Sequence, residues 1–281
     1  MGTKKIAILL ATYNGEQYIC EQLDSLIAQT FDNYTIYVHD DGSTDNTVNI
    51  LKKYAEKYTN VKILDYPSQH GAKDNFMSLL KRVEADYYMF CDQDDVWRKD
   101  KVELEMQRMQ GLEKENGDKA MLVFSDLYVV DNELNINEKS LWKKNCIRPE
   151  LLTNFEEGGG FEFVTGCTML FNNATKKIVN FEKVDKATMH DAWITLCVLK
   201  SEGIVSAIYD QLVYYRQHGD NSLGASDWSE HGRLYKLMNI FSILKRNYIH
   251  WQMLDALEYG SFFKYLKYKY LYRNKYYGKN K

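Results

Sequence analysis

Proline is nearly missing from this chain, with only Pro67 and Pro149 among 281 residues. That leaves little room for a disordered proline-rich linker. No run of 18 apolar residues occurs, so no segment is expected to span a membrane. No secretory leader is expected either, because Lys4 and Lys5 precede only a strand-length apolar run at 6–11. The five cysteines (Cys20, Cys91, Cys146, Cys167, Cys197) are odd in number and show no C-x-x-C spacing. Core thiols in a reducing, cytoplasmic setting are therefore expected. Two phosphate cradles are lacking as well: there is no G-x-x-x-x-G-K-[ST], and no G-x-G-x-x-G follows the first strand. P-loop enzymes and dinucleotide dehydrogenases are thereby disfavoured.

What remains is an ordinary globular composition, 45 % apolar and 27 % charged, in a length suited to one large domain with or without an appendage. The net charge of −3 hides an asymmetry. Residues 232–281 carry 11 Lys/Arg against Asp255 and Glu258, a balance of +9, while residues 1–231 stand at −12. An acidic body and a basic tail imply two surfaces with different partners.

The first half alternates strand and helix patterns. Apolar runs lie at 6–12, 34–39, 61–66, 85–90 and 122–130. Between them come helical periods: Ile19, Leu23, Leu26 and Ile27; Val48, Leu51 and Ala55; Phe76, Leu80 and Val83. Asn14, three residues before Gln17, and Ser43-Thr44-Asp45 read as helix starts. This alternation predicts an α/β fold whose central, mainly parallel sheet is covered by helices on both faces. Ligands of such sheets bind beyond the carboxyl ends of the strands. After about residue 132 the rhythm changes. An irregular connection at 142–160 contains a Gly158-Gly159-Gly160 hinge, followed by a strand at 163–171 and a helix at 191–199. A strand pair or one bent strand is expected at 204–215. The tail reads as helical, one helix through Leu234, Leu237, Met238, Phe241 and Leu244 and another from about Trp251 to Tyr272.

Polar clusters stand where the strands end. Ala11-Thr12-Tyr13-Asn14 closes the first strand and offers a ring that can stack on a base. Asp40-Asp41-Gly42-Ser43 closes the second; Asp41 suits a base or ribose donor, and equally a turn that caps a helix. Asp92-Gln93-Asp94-Asp95 follows the buried run at 85–90. Three carboxylates there are costly unless something positive joins them. A divalent cation of the Mg²⁺ or Mn²⁺ kind, shared with a diphosphate, meets that need; a solvated acidic turn is the alternative.

These three segments, at 8–14, 38–45 and 90–95, resemble the family-two nucleotide-sugar glycosyltransferases of the GT-A fold. The resemblance spans roughly residues 4–220 and includes Val164-Thr165-Gly166-Cys167-Thr168 and Met189-His190-Asp191-Ala192-Trp193. The block from Tyr214 to Asn221 is similar to one in bacterial rhamnosyltransferase-like members. It implies a GT-A domain at 1–225, with a nucleotide-binding half at 1–131 and an acceptor-binding half at 132–225. A helical extension would follow at 226–281. Ala11, Thr12, Tyr13, Asn14, Asp41, Lys73, Asp92 and Gln93 would bind nucleotide. Asp94, with Asp92 and His218, would hold the Mn²⁺ or Mg²⁺. Asp191 would be the general base of an inverting transfer. Trp97, Gly166, Cys167, His190 and Arg216 would shape the donor and acceptor pockets. The favoured donor is dTDP-L-rhamnose, then a UDP-hexose, and the acceptor is a glycan or lipid-linked glycan of a bacterial surface polysaccharide.

Each role has a competitor. Asp191 could merely cap its helix, and His190-Asp191 resembles a metal-phosphohydrolase pair whose further His/Asp motifs are missing. Lys73 suits a solvated helix start. Asp95 and Trp97 suit capping and packing of the next helix. A non-catalytic nucleotide- or glycan-binding module would not need both Asp94 and Asp191, and a nucleotidyltransferase wants a Gly-rich basic loop that Gly15-Glu16-Gln17 does not supply. The tail interleaves lysine and arginine with aromatics. That suits an anionic membrane face on the cytoplasmic side, or a helical cap with its aromatics packed on the core. No base-recognition motif supports a nucleic-acid partner.

Overall fold

The computed structural model describes residues 4–162, 164–217 and 240–277. Four parallel strands form its first block: β1 (Ile6–Thr12), β2 (Tyr34–Asp40), β3 (Val61–Ile63) and β4 (Tyr87–Cys91). The helices between them are α1 (Ile19–Ile27), α2 (Thr47–Lys57) and α3 (Ala72–Arg82). All seven residues of β1 are buried, as a strand covered on both faces requires. Its side chains alternate between two cores. Ala7, Leu9 and Ala11 join Phe76 and Phe90 on one face, and Ile6, Ile8 and Leu10 join Leu23 and Met89 on the other.

The second half is mixed in direction. It comprises β5 (Val96–Trp97), α4 (Lys101–Asn116), β6 (Met121–Val130), β7 (Ile136–Glu138), α5 (Leu141–Lys144) and α6 (Phe155–Gly158). Then come β8 (Met169–Asn172), α7 (Asn173–Ile178), α8 (His190–Lys200) and β9 (Ile204–Arg216). The strand order is β3-β2-β1-β4-β8-β6-β9-β5, with β7 on β6. Of the expected strand at 163–171, only Met169 onward pairs, because residues 166–168 form a 3₁₀ turn. The segment at 204–215 is one bent strand. β9 runs parallel to β6, slips register around Asp126, and then pairs antiparallel with β5. That bend carries Arg216 to the end of β4.

Two further helices, α9 (Ile240–Ala256) and α10 (Phe262–Tyr276), close the described chain. The single helix expected from Trp251 to Tyr272 is broken at Glu258 (φ 63°) and Gly260 (φ 107°), and Ser261 caps α10 by accepting from the Lys264 amide at 3.2 Å. The Gly158–Gly160 stretch is a packing seat for these helices instead of a hinge. A Cβ on Gly159 would lie 2.8 Å from the Phe155 carbonyl and 3.0 Å from the Tyr259 ring; on Gly160 it would lie 3.3 Å from Lys269 Cβ. Met253, Leu254, Tyr265 and Tyr276 join the same core as Trp193. No helix among the described residues is long and apolar enough to cross a membrane.

Candidate active site

The loops after β1, β2 and β4 meet at one edge and hold each other through side chain to backbone bonds. Gln93 clamps Tyr13: its Oε1 accepts from the Tyr13 amide at 2.8 Å and its Nε2 donates to the Tyr13 carbonyl at 2.9 Å. The clamp leaves no room at Gly15, where a Cβ would come within 2.3 Å of Gln93 Oε1. Tyr13 is thereby presented with 56 % of its surface exposed, a ring free to stack. Asn14 does not cap α1, which starts at Ile19. It adopts φ 46°, donates its amide to Ser43 Oγ, and accepts from the Thr44 amide at 2.8 Å. Thr12 donates to Asp40 Oδ2 at 2.9 Å, and Ala11 lies buried behind it.

Asp41 is engaged within the protein. Ser68 Oγ and the amides of Gln69, His70 and Gly71 all donate to its carboxylate. Burial pushes its pKa up, but these bonds outweigh it and leave Asp41 below the usual carboxylate range. Lys73, expected at a phosphate, turns away instead. Its Nζ lies 3.5 Å from the Val184 carbonyl, 3.4 Å from that of Ala187, and 3.5 Å from Asp74.

The end of β4 differs. Asp92, Asp95 and Cys167 bring ligand atoms within 4.8 Å of one another. Burial, then the charges of Asp94 and Asp191, push the Asp92 carboxyl up to about 8. Asp95 is fully buried and well above the carboxylate range, first through burial and then through Asp94 and Asp92. Its Oδ1 accepts from the Arg216 amide at 3.1 Å, while Oδ2 meets no partner. Asp95 therefore does not cap α4, whose N-cap is Asp100. The two carboxylates of this cluster, one with an orphaned buried oxygen, fit a hard divalent cation. The Cys167 thiol is a poor ligand for one, and Asp94 stands beside the cluster without being part of it. Cys167 stays a thiol, its pKa raised by burial and by Asp95 and Asp92. Tyr215, which the motifs did not single out, sits beside the same acids: burial and then Asp95 raise its phenol.

Arg216 is a brace and not an open phosphate ligand, being 1 % exposed. Its Nε donates to the Asp94 carbonyl at 2.9 Å, its Nη1 to the Asn132 carbonyl and its Nη2 to Glu21, and the guanidinium lies 4.4 Å from the Tyr18 ring centroid. Trp97 is likewise core, 2 % exposed, with Lys101 Nζ 4.1 Å from its ring centroid. His218 lies outside the described residues.

Asp191 opens α8 on the far wall. Gly166 donates its amide to Oδ2 at 3.0 Å and the Ala192 amide to Oδ1 at 2.7 Å. Burial raises the carboxyl to about 7; Glu162 adds to the rise and the two amides restrain it. His190 faces the core and not the cleft. Its ring lies tilted against Phe76 (4.3 Å) and edge-on to Phe90 (4.7 Å), and burial lowers its pKa to about 3. Its Nε2 would lie 2.5 Å from any Cβ on Gly166, so that glycine is needed for His190 to fit. Glu162 was not foreseen. Its Oε1 accepts from Thr188 Oγ1 at 2.7 Å and lies 3.1 Å from His250 Nδ1 of α9. No local motif surrounds it; only the fold brings it beside Asp191.

The chain is similar in sequence and in fold to known proteins. Residues 7–178 match the family model described as Glycosyl transferase family 2. Over 233 residues the chain is 31 % identical to the dTDP-rhamnosyl transferase RfbG of Shigella flexneri, covering 77 % of this chain and 74 % of that protein. Its fold is similar to residues 1–349 of TarS from S. aureus in complex with UDP-GlcNAc, with TM-score 0.55, 20 % identity, and 90 % and 72 % of the two chains covered. It is also similar to the mannosyltransferase PcManGT from Pyrobaculum calidifontis in complex with GDP-Man and Mn²⁺, with TM-score 0.56, 13 % identity, and 96 % and 80 % covered. Three strand-end loops, a carboxylate at the start of α8 and a family match over more than half the length agree: the chain belongs to glycosyl transferase family 2.

Proposed function

We propose that this enzyme is an inverting glycosyltransferase that moves a sugar from a nucleoside diphosphate to a hydroxyl of a growing, lipid-linked bacterial surface glycan. The favoured donor is dTDP-L-rhamnose, supported by the similarity to RfbG and by the block that starts at Tyr214; a UDP-hexose is the second reading. The observation that carries the reaction is Asp191, pinned by two amides and raised to about 7. A general base works best near the operating pH. Asp191 takes the proton of the acceptor hydroxyl, whose oxygen bonds to the anomeric carbon as the carbon–oxygen bond to the diphosphate breaks. The electron pair of that bond leaves on the phosphate oxygen. Tyr13 stacks on the base, and the clamped loop of Gln93 fixes its position. Asp94 and Asp92 are suited to hold a divalent cation, which when bound neutralises charge on the departing diphosphate.

A thermal-shift panel of dTDP-rhamnose, UDP-glucose, UDP-galactose, UDP-GlcNAc and GDP-mannose with Mn²⁺ tests the donor. Ligand binding to the native state raises its stability by mass action, so dTDP-rhamnose should give the largest shift. A larger shift with a UDP-sugar would move the assignment to the second reading. No shift with any of the five would overturn both.

A further inference from the structure

The two C-terminal helices carry the same outward stripe twice. On α9, Phe241, Lys245 and Tyr248 fall at i, i+4 and i+7; on α10, Phe263, Lys267 and Tyr270 repeat that spacing. All six are exposed, the phenylalanines 85 % and 81 % and Tyr270 84 %. The opposite faces are inward: His250, Met253 and Leu254 on α9, Tyr265 and Tyr276 on α10 are buried. On α10 a period of 3.6 residues separates the two faces, whereas the first half of α9 is exposed on most sides and its buried residues begin at His250. The stripes adjoin where Tyr248 meets Phe262 at 5.8 Å, beside Phe263.

We propose that this doubled aromatic–lysine–aromatic face docks on an anionic lipid surface. The inference deepens the lipid-linked acceptor reading. The cations on these faces are uncompensated: Lys264 and Lys275 pair with Glu156 and Glu157, but Lys245, Arg246, Lys267 and Arg273 meet no carboxylate among the described residues. Exposed phenylalanine rings enter the boundary between headgroups and acyl chains, tyrosines rest at headgroup depth, and lysines snorkel to the phosphates. A second copy of this chain would set lysine against lysine, a repulsive pairing. The inner face of α9 places His250 on Glu162, beside Asp191. A surface-bound enzyme thus has the helix that touches lipid forming part of the wall next to its base.

Co-sedimentation of the full chain with phosphatidylglycerol–phosphatidylethanolamine vesicles tests this, with phosphatidylcholine vesicles as the neutral arm. The wild type should pellet with the anionic vesicles and stay in solution with the neutral ones. Lys245→Glu combined with Lys267→Glu should weaken binding at least about tenfold, given about 1 kcal/mol per surface lysine. Phe241→Ser with Phe263→Ser should weaken it in the same direction. A Mn²⁺–nucleotide thermal shift equal to wild type shows that the variants are folded; its failure in the wild type would count against the donor reading alone. Absence of pelleting, or pelleting unchanged by both variants, overturns the proposal. So does dimerisation lost with the same lysines in light scattering, which gives the face to a second copy. Tighter binding to a single-stranded oligonucleotide than to vesicles gives it to nucleic acid.

Discussion

Asp41 and Asp92 each follow the last residue of a strand in the same parallel block, yet the fold drives them in opposite directions. Asp41 receives four hydrogen bonds from residues 68–71 and is lowered despite its burial. The Asp92 carboxylate receives none among the described residues and is raised to about 8 by burial, Asp94 and Asp191. One carboxylate is completed by the protein; the other needs a cation, a proton or a substrate hydroxyl to complete it. That difference separates the part of the site that holds shape from the part that performs chemistry.

The largest expected effect lies on the chemical side. Asp191→Asn keeps the acceptor capacity for the Gly166 amide and removes the base. Sugar transfer should fall about 10²- to 10⁴-fold, with nucleoside diphosphate affinity, measured by calorimetry, unchanged. Turnover like that of wild type would remove Asp191 from the chemistry and leave the raised acids Asp92 and Asp95 to consider there.

Next comes the brace between the two sides. Arg216→Ala strips the Asp94 and Asn132 carbonyls of their donor and opens a void beside Tyr18. A loss of about 3 kcal/mol is expected from unsatisfied buried groups, read from the urea midpoint. A loss under about 0.5 kcal/mol would show that the β4 loop holds itself, with surface-like energetics.

Smaller again is the completed side. Ser68→Ala removes one donor to Asp41 and should cost about 1 kcal/mol, and Asp41→Asn somewhat more. Both should weaken nucleotide binding together and by less than about tenfold, since the 68–71 loop loosens in each. If Asp41→Asn alone cut affinity more than about 100-fold at wild-type stability, Asp41 would be a direct ligand of the base after all.

The residues whose place in the fold the sequence patterns indicate share a property: each lies at the end of a strand or the start of a helix. Tyr13, Asn14, Asp92 and Asp191 stand at element ends, so strand and helix patterns place them. Trp97, Lys73 and Arg216 were identified as polar or aromatic groups near motifs, but sequence does not give the direction of a side chain. Lys73 turned to Val184 and Ala187 and Arg216 to Glu21 and Asn132, all in distant segments, while Trp97 turned into the core beneath its near neighbour Lys101. The glycines at 158–160 suggested freedom, and here they serve close approach, which the same residue type supplies equally well. Glu162 depends on α9 lying across it, a contact between residues far apart in the chain.

The pH dependence of stability tests the comparison last. Asp92 and Asp191 are raised to about 8 and about 7, so the native state holds more protons than the unfolded chain, whose carboxylates titrate near 4. Stability must then fall as pH rises toward those values. His190, lowered to about 3, acts in the opposite sense, but only below its ordinary value of 6.5. Between pH 6.5 and 8 His190 no longer opposes the fall and the raised Asp95 and Glu105 add to it, so the metal-free protein should lose about 2 kcal/mol or more. Asp41 stays silent there, because it is ionised in both states. Mn²⁺ competes with protons for the same carboxylates, so it should raise the thermal midpoint more at pH 8 than at 6.5. Asp92→Asn should flatten the slope. An unchanged slope in that variant would mean that Asp92 is completed within the protein, as Asp41 is, and the contrast between the two would disappear.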